Sequence, residues 1–261
     1  MKISLIIATY NWREALELTL LSVRCQSRMP DEVLVADDGS REDTGELIAR
    51  LAKELSAPVV HVWHSDQGFR LGAIRNQAIA RASGDYMIQI DGDVVLHGDF
   101  VRDHETFSKR GMYCSGSRTL LREAFSKEVL ERKQLTFPHF GRGIKRPLNS
   151  VHFPWLTPFL YPDSLRYDNI RGSNMAFWRE DALTVNGYNE EISGWGREDT
   201  EFCARLTFNG IQRRKLKFAA TQHHLFHRHA SRDQLDYNNA IMEDTLDNRI
   251  QRCANGLDKY L

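Results

Sequence analysis

The chain predicts an α/β fold on a mostly parallel central sheet flanked by helices. Short apolar runs alternate with stretches of helical periodicity, polar clusters close several of those runs, and no internal repeat breaks the pattern. Ile3 to Ala8 is an almost unbroken apolar run, as expected of a strand covered on both faces. Leu16, Leu20 and Val23 then recur at helical spacing behind Asn11, a candidate cap. Val33 to Ala36 predicts the second strand, Ile48, Leu51 and Leu55 the second helix, and Val59 to Trp63 the third strand. Ile74, Ala78 and Arg81 mark a third helix ending near Gly84, before a fourth strand over Tyr86 to Ile90. Such alternation implies right-handed crossovers, and ligands of open sheets of this kind lie at the carboxyl ends of the strands. Thr9-Tyr10-Asn11, Asp37-Asp38 and Asp91-Gly92-Asp93 all fall there.

Residues 126–167 read differently. They are rich in aromatic, proline and basic residues, among them Phe140, Lys145, Arg146, Phe153, Trp155 and Phe159, and predict a long irregular excursion that handles the acceptor of a reaction. Regular patterning returns with a strand at Ala176-Phe177-Trp178 and a helix over Glu198 to Phe208. Leu235, Met242, Leu246 and Ile250 predict a C-terminal amphipathic helix packed on the core. The expected organisation is one domain over 1–261, with a nucleotide-binding half (1–120), an acceptor and catalytic half (121–232) and a terminal helix (233–261). Trp12, Trp63 and Trp178 are assigned to the core.

Composition removes several function classes. Lys plus Arg and Asp plus Glu both number 35, so no global charge points to nucleic acid. Cys25, Cys114, Cys203 and Cys253 have neither zinc-ligand spacing nor a CxxC pair, which fits reduced thiols and a cytoplasmic setting. No apolar run reaches the roughly 18 residues of a membrane span, and the amino-terminal apolar run reads as a strand, not a signal peptide. GxGxxG after the first strand and GxxxxGK[ST] are both lacking, which argues against dinucleotide and P-loop sites.

The chemistry concentrates in two acidic groups. Asp91 and Asp93, at a strand end with Gly92 letting backbone approach a ligand, suit a hard divalent cation and its diphosphate. Gly194-Trp195-Gly196-Arg197-Glu198-Asp199 places a tryptophan able to lie against a sugar ring ahead of carboxylates at a helix start. Arg70 could pair with phosphate or join a surface ion pair.

Ala8-Thr9-Tyr10-Asn11, Asp37-Asp38-Gly39-Ser40, Arg75-Asn76 and Asp91-Gly92-Asp93 resemble, in order, the motifs of inverting family 2 glycosyltransferases with the Rossmann-like GT-A fold. Arg171-Gly172-Ser173-Asn174-Met175-Ala176-Phe177, Gly187-Tyr188-Asn189-Glu190 and Gly194 to Asp199 resemble the carboxyl-terminal region of β-1,4-galactosyltransferases and bacterial chondroitin polymerase modules. The resemblance implies a nucleotide-sugar site at Ala8, Thr9, Tyr10, Asn11, Asp38, Arg70, Arg75, Asp91, Gly92, Asn174 and Trp195, with Asp38 on uracil or ribose and Tyr10 and Arg75 nearby. Asp93 would bind the metal directly and Asp91 would assist at ribose or metal. Asp199 would be the catalytic base, its basicity raised by burial beside Glu198, and Glu198 would bind an acceptor or donor hydroxyl. A late histidine completes the metal site in the galactosyltransferase-like group. Of His223, His224, His227 and His229, the matching stretch favours His227 or His224 and disfavours His223. Imidazole beside carboxylate favours Mn2+ over Mg2+.

The resemblance further implies a UDP-sugar donor carrying a hexose or N-acetylhexosamine, and a glycan or lipid-linked glycan acceptor. The linkage expected is β-1,4, the setting cell-surface polysaccharide or lipopolysaccharide assembly at the inner face of a membrane, with peripheral membrane association. The alternative is a degenerate sugar-binding module of the same fold, against which the intact acids at 91, 93, 198 and 199 argue.

Overall fold

The computed structural model describes residues 1–168, 170–228 and 231–261. The elements run β1 (Ile3–Thr9), α1 (Arg13–Arg24), β2 (Glu32–Asp37), α2 (Glu42–Ala52), β3 (Val59–Trp63), α3 (Leu71–Arg81) and β4 (Tyr86–Asp91). Then come β5 (Val94–Leu96), α4 (Phe100–Phe107), β6 (Met112–Gly116), β7 (Thr119–Leu121), α5 (Glu123–Arg132), β8 (Ile144–Lys145) and α6 (Thr157–Leu160). The chain finishes with β9 (Asn174–Trp178), α7 (Arg179–Thr184), α8 (Glu198–Phe208), β10 (Gln212–Leu216), β11 (Gln222–His224) and α9 (Leu235–Asp247).

Seven strands form the main sheet in the order β10-β6-β9-β4-β1-β2-β3. β1 lies parallel between β2 and β4, and every one of its residues is buried. Its side chains alternate between two apolar layers, Ile3, Leu5 and Ile7 on one face and Ile6 on the other, which is why the run is continuous rather than alternating. The sheet departs from parallel only at β9, which runs antiparallel to both β4 and β6. A second sheet, β5-β11-β7-β8, sits past the end of β4. Its β11 pairs with β5 so that His224 is opposite Val94, and Leu225 N donates to Asp93 O at 2.9 Å. A late segment is thereby brought against the turn that follows β4.

Several local expectations are corrected. Asn11 does not cap α1: it sits at φ 46, its N–H donates to Ser40 Oγ, and its Oδ1 accepts from Arg41 N. Those bonds tie the turn after β1 to the turn after β2. Trp63 is not core. It is 47% exposed because β3 is the edge strand, and its Nε1 donates to Ser40 O. Trp178 is buried as expected, and Trp12 is partly buried against the small cluster around Ala15, Leu18 and Val95. The stretch read as wholly irregular opens with α5, whose Ser126 and Val129 are buried. Cys25 is exposed while the other three cysteines are buried, all as free thiols.

The terminal helix is shorter than its apolar spacing suggested, and polar contacts hold it. Asn238 Nδ2 donates to Ser193 O and Gly196 O, and Thr245 Oγ1 reaches Glu201. Glu201 in turn takes two hydrogen bonds from Arg205, one turn on, both fully buried. These bonds fix the approach and the first turn of α8, where Glu198 and Asp199 lie. Among the described residues no helix is long and apolar enough to cross a membrane.

Candidate active site

Three corners of the site lie at the carboxyl ends of β1, β2 and β4. At the first, Asp38 is buried and fully engaged. Arg70 N donates to its Oδ2 at 2.9 Å, while His64 Nε2 donates to Oδ1 at 2.7 Å with Gln77 Nε2 donating to His64 Nδ1. That chain of donors assigns the neutral imidazole with its proton on Nε2. Burial pushes the Asp38 carboxyl up despite these donors. Tyr10 is exposed, and its hydroxyl donates to Asp66 Oδ2 at 2.8 Å. His64 and Asp66 were not foreseen. They follow β3 at the same sheet edge as the residues that were, so edge position was the available signal.

The second corner is a buried cation between two acids. Arg75 is 1% exposed; its Nη2 donates to Asp91 Oδ1 at 3.1 Å and its Nη1 to Asp199 Oδ1 at 2.9 Å. Burial alone would lower its pKa, but the charges of Asp199, Tyr188 and Asp91 more than reverse this and hold it above its ordinary value. Gly172 N donates to Asp199 Oδ2 at 2.7 Å, and a Cβ on Gly172 would lie 2.2 Å from Asp199 Oδ1, so only glycine fits. Each oxygen of Asp199 keeps a lone pair for a further proton. Glu198, beside it, is pushed up to about 8 by burial and then by the Asp199 charge.

The third corner is a cation site. Asp93 Oδ2 is 3.2 Å from His227 Nε2 and 3.5 Å from His224 Nε2, and Asp93 Oδ1 is buried with no hydrogen-bond partner among the described residues. His227 Nδ1 donates to Arg228 O, which leaves the lone pair of Nε2 facing the carboxylate. Two electron-rich atoms so placed repel unless a proton or a metal cation lies between them. One ligand atom from each of Asp93, His224 and His227 falls within 4.8 Å of the others. Burial drives Asp93 up to about 6 and His224, with help from the Arg118 charge, down to about 3, so the imidazole is neutral and able to coordinate. The residues present thus fit a divalent metal.

Other expected positions are placed differently. Asp91 is turned to Arg75 and is absent from the metal-competent group, because a fully buried guanidinium needs its charge. For the same reason Arg75 bonds to Asp91 and Asp199, not to Asp38. Gly92 packs within 3.0 Å of Ala8 O at its Cβ position and its N–H donates to that oxygen, so it serves strand packing instead of a ligand. Asn174 is 1% exposed, with Nδ2 on Ser117 O and Ala220 O and Oδ1 on His104 Nε2; its side chain is spent on joining two loops to α4. Ala8 and Thr9 contribute backbone: Thr9 O accepts from Asp38 N. The Arg70 side chain bonds to Gln67. Trp195 is 37% exposed with the Arg232 guanidinium 4.9 Å over its ring. His223, on the opposite face of β11 from His224, stacks on Phe137. His229 lies outside the described residues.

A sequence model described as Glycosyl transferase family 2 matches residues 4–162. The chain belongs to glycosyl transferase family 2. A second model, described as the N-terminal domain of galactosyltransferase, matches residues 161–230 and covers Asp199, His224 and His227. Among family relatives, chondroitin synthase of Escherichia coli is 27% identical over 238 residues, 85% of this chain and 34% of that protein. Validoxylamine A glucosyltransferase of Streptomyces hygroscopicus subsp. limoneus is 26% identical over 234 residues, 80% of this chain and 48% of its own length. The chain therefore spans less than half the length of these relatives. S. aureus TarS 1-349 in complex with UDP aligns with TM-score 0.66 at 17% identity, covering 100% of this chain and 68% of that one. A mannosyltransferase from Pyrobaculum calidifontis in complex with GDP-Man and Mn2+ aligns with TM-score 0.60 at 16% identity, covering 87% and 57%. The fold is that of the GT-A glycosyltransferases.

The raised Glu198 pKa has a consequence for stability. Between its ordinary 4.5 and about 8 the folded protein binds a proton that the unfolded chain releases, so this contribution is complete below about pH 4.5 and fades as pH rises through 8. Thermal unfolding in chelator is expected to show a Tm that falls across that interval, and to fall less steeply in Glu198→Gln. Equal slopes for the two proteins would contradict the assignment.

Proposed function

We propose that this protein transfers a hexose or N-acetylhexosamine from a UDP-sugar to a hydroxyl of a glycan acceptor with inversion, forming a β-1,4 linkage in cell-surface polysaccharide or lipopolysaccharide assembly. The observation that carries the reading is Asp199, fixed by Arg75 and Gly172 on the same buried cation that holds Asp91, at the end of β4 next to Asp93. Asp199 takes the proton of the acceptor hydroxyl as that oxygen attacks the anomeric carbon from the face opposite the diphosphate. Glu198, protonated over much of the physiological range, donates a hydrogen bond to an acceptor or donor hydroxyl. Asp38, with Tyr10 beside the same edge, receives the uracil or ribose, and Trp195 offers a ring face to a sugar.

Asp93, His224 and His227 would hold the metal, which when bound neutralises the departing diphosphate as a Lewis acid. A mixed imidazole and carboxylate set suits Mn2+ better than Mg2+. A UDP donor agrees with the UDP complex of TarS, and polysaccharide assembly with the name of the chondroitin synthase relative. Asp199→Asn should retain binding of UDP with Mn2+ while transfer falls by about 10²- to 10⁴-fold, the usual worth of a general base. Absence of Mn2+-dependent UDP release by the parent protein, or undiminished transfer by the variant, overturns the reading.

The acceptor side supports a further part of the same proposal, peripheral attachment to an anionic membrane. Of the 16 exposed large apolar side chains among the described residues, eight lie between Phe140 and Leu165. Trp155 (67% exposed) and Phe159 (83%) stand four residues apart on consecutive helical turns and so share a face. The segment runs along β10, with Phe153 N on Phe218 O, Thr157 Oγ1 on Lys217 O, and Lys215 Nζ 4.1 Å over the Tyr161 ring. Apolar rings beside Lys215 and Lys217 are the surface that an anionic bilayer takes. The protein should cosediment with vesicles containing phosphatidylglycerol, far less with pure phosphatidylcholine, and Trp155→Ser with Phe159→Ser should abolish this. Equal pelleting of the variant, or none by the parent, would refute it.

A further inference from the structure

Three arginines gather on the loops near Asp199, close enough for their charges to act on one another. Arg118 lies in the turn between β6 and β7, and its Nη1 reaches Ser173 Oγ at 3.4 Å. Arg171 is two residues before that serine and directly precedes Gly172, whose N–H holds Asp199. Asn149 joins Arg118 to Arg146: its backbone N–H donates to Arg146 O at 2.9 Å and its Nδ2 donates to Arg118 O at 2.9 Å. Among the described residues, none of the three is within ion-pair distance of a carboxylate, whereas Arg75, on the other side of Asp199, is.

For Arg118, which is half-buried, the lack of a partner is costly. The Nε of Arg118 is buried with no hydrogen-bond partner among the described residues. A buried donor of this kind forfeits its hydration unless something occupies the space before it. Arg171 feels the cost as well: burial first, and then the charges of Arg118 and Arg146, weaken its hold on its proton. The repulsion of Arg171 by Arg118 and Arg146 outweighs its attraction to Asp199, and an anion among the three would relieve it. Guanidinium forks match phosphate and carboxylate oxygens two at a time, and such charge-assisted bonds are about twice as strong as neutral ones.

We propose that Arg118, Arg146 and Arg171 form an oxyanion site that takes a phosphate or carboxylate carried by the acceptor, next to the hydroxyl that Asp199 deprotonates. The acceptor class is then an acidic glycan, a uronate or a sugar phosphate. This inference rests on the transferase reading above. Two sources could supply the oxyanion, the acceptor or the diphosphate of the donor. Arg171 favours the acceptor, since chain continuity through Gly172 places it at the base, whereas Asp93, His224 and His227 stand ready to hold the metal for the diphosphate. Arg118, whose charge acts on Asp93 and His224 as well, lies between the two.

Titration calorimetry on the full chain saturated with UDP and Mn2+ separates these sources, with glucuronate, inorganic phosphate and glucose as probes. Saturable binding of glucuronate or phosphate but not of glucose is expected. It should weaken by about ten-fold or more in Arg146→Gln with Arg171→Gln, while affinity for UDP with Mn2+ stays within about two-fold. Both substituted side chains are exposed, so the variant should fold, and an unchanged Tm checks this. If neither anion binds, or if the variant binds them equally well, the site is refuted. If the variant instead loses affinity for UDP, the arginines serve the donor and the acceptor assignment falls. Failure of the parent protein to bind UDP with Mn2+ would be a separate result, directed at the transferase reading and not at the anion site.

Discussion

The site depends on one buried cation. Arg75 is carried on α3, and its guanidinium ends between Asp91, at the close of β4, and Asp199, in the first turn of α8. The Tyr188 ring lies 5.3 Å from it, adding a π face to the two carboxylates. Such a charge is tolerable in the interior only with its partners in place, and removing one partner of a buried pair costs about 3 to 5 kcal/mol. The dependence runs both ways. Burial, and then the charges of Asp93 and Asp199, push Asp91 up, and Arg75 opposes that shift. The residue thus binds segments more than a hundred positions apart into one charge-balanced unit.

Around that unit, the polar groups follow from how the strands end. Parallel strands leave their carboxyl ends on one edge, so β1, β2 and β4 deliver Thr9, Asp38 and Asp91 together without long-range design. The metal-competent group needs more. It requires the second sheet, in which β11 pairs with β5 and sets His224 beside Asp93, with His227 following on the next loop. Charge is uneven at this edge although it cancels over the chain, with acids at the ends of β4 and α8 and unpaired arginines on the loops facing them.

Much of this was legible from the sequence. Continuous apolar runs identified β1 to β4, because a strand covered on both sides has no polar face to interrupt it. Residue type and the family resemblance pointed to Asp93, His224 and His227 as candidate metal ligands, together with Asp91, which the fold turns to Arg75 instead. Pairing choices could not be read. Arg75 looked like a nucleotide contact, since nothing in its neighbourhood announces a partner 124 positions away. Asn174 looked like a ligand contact, and only the fold shows its amide saturated by Ser117, Ala220 and His104. Trp63 read as core because an apolar run does not reveal that its strand will lie at the edge. The arginine cluster escaped for a similar reason: the three are scattered over more than fifty residues, and Asn149 brings two of them together through its backbone N–H and its side-chain amide.

In the proposed reaction Arg75 aims Asp199 at the acceptor hydroxyl. Substitution by lysine keeps the charge, and so the fold, but removes the fork that reaches both carboxylates. The decisive measurement is kcat for UDP-sugar transfer by Arg75→Lys, set beside its Kd for UDP with Mn2+. A fall in kcat of about 10²-fold or more, as misplacement by an ångström produces, with Kd changed only a few-fold, is the predicted result. An unchanged kcat would contradict it.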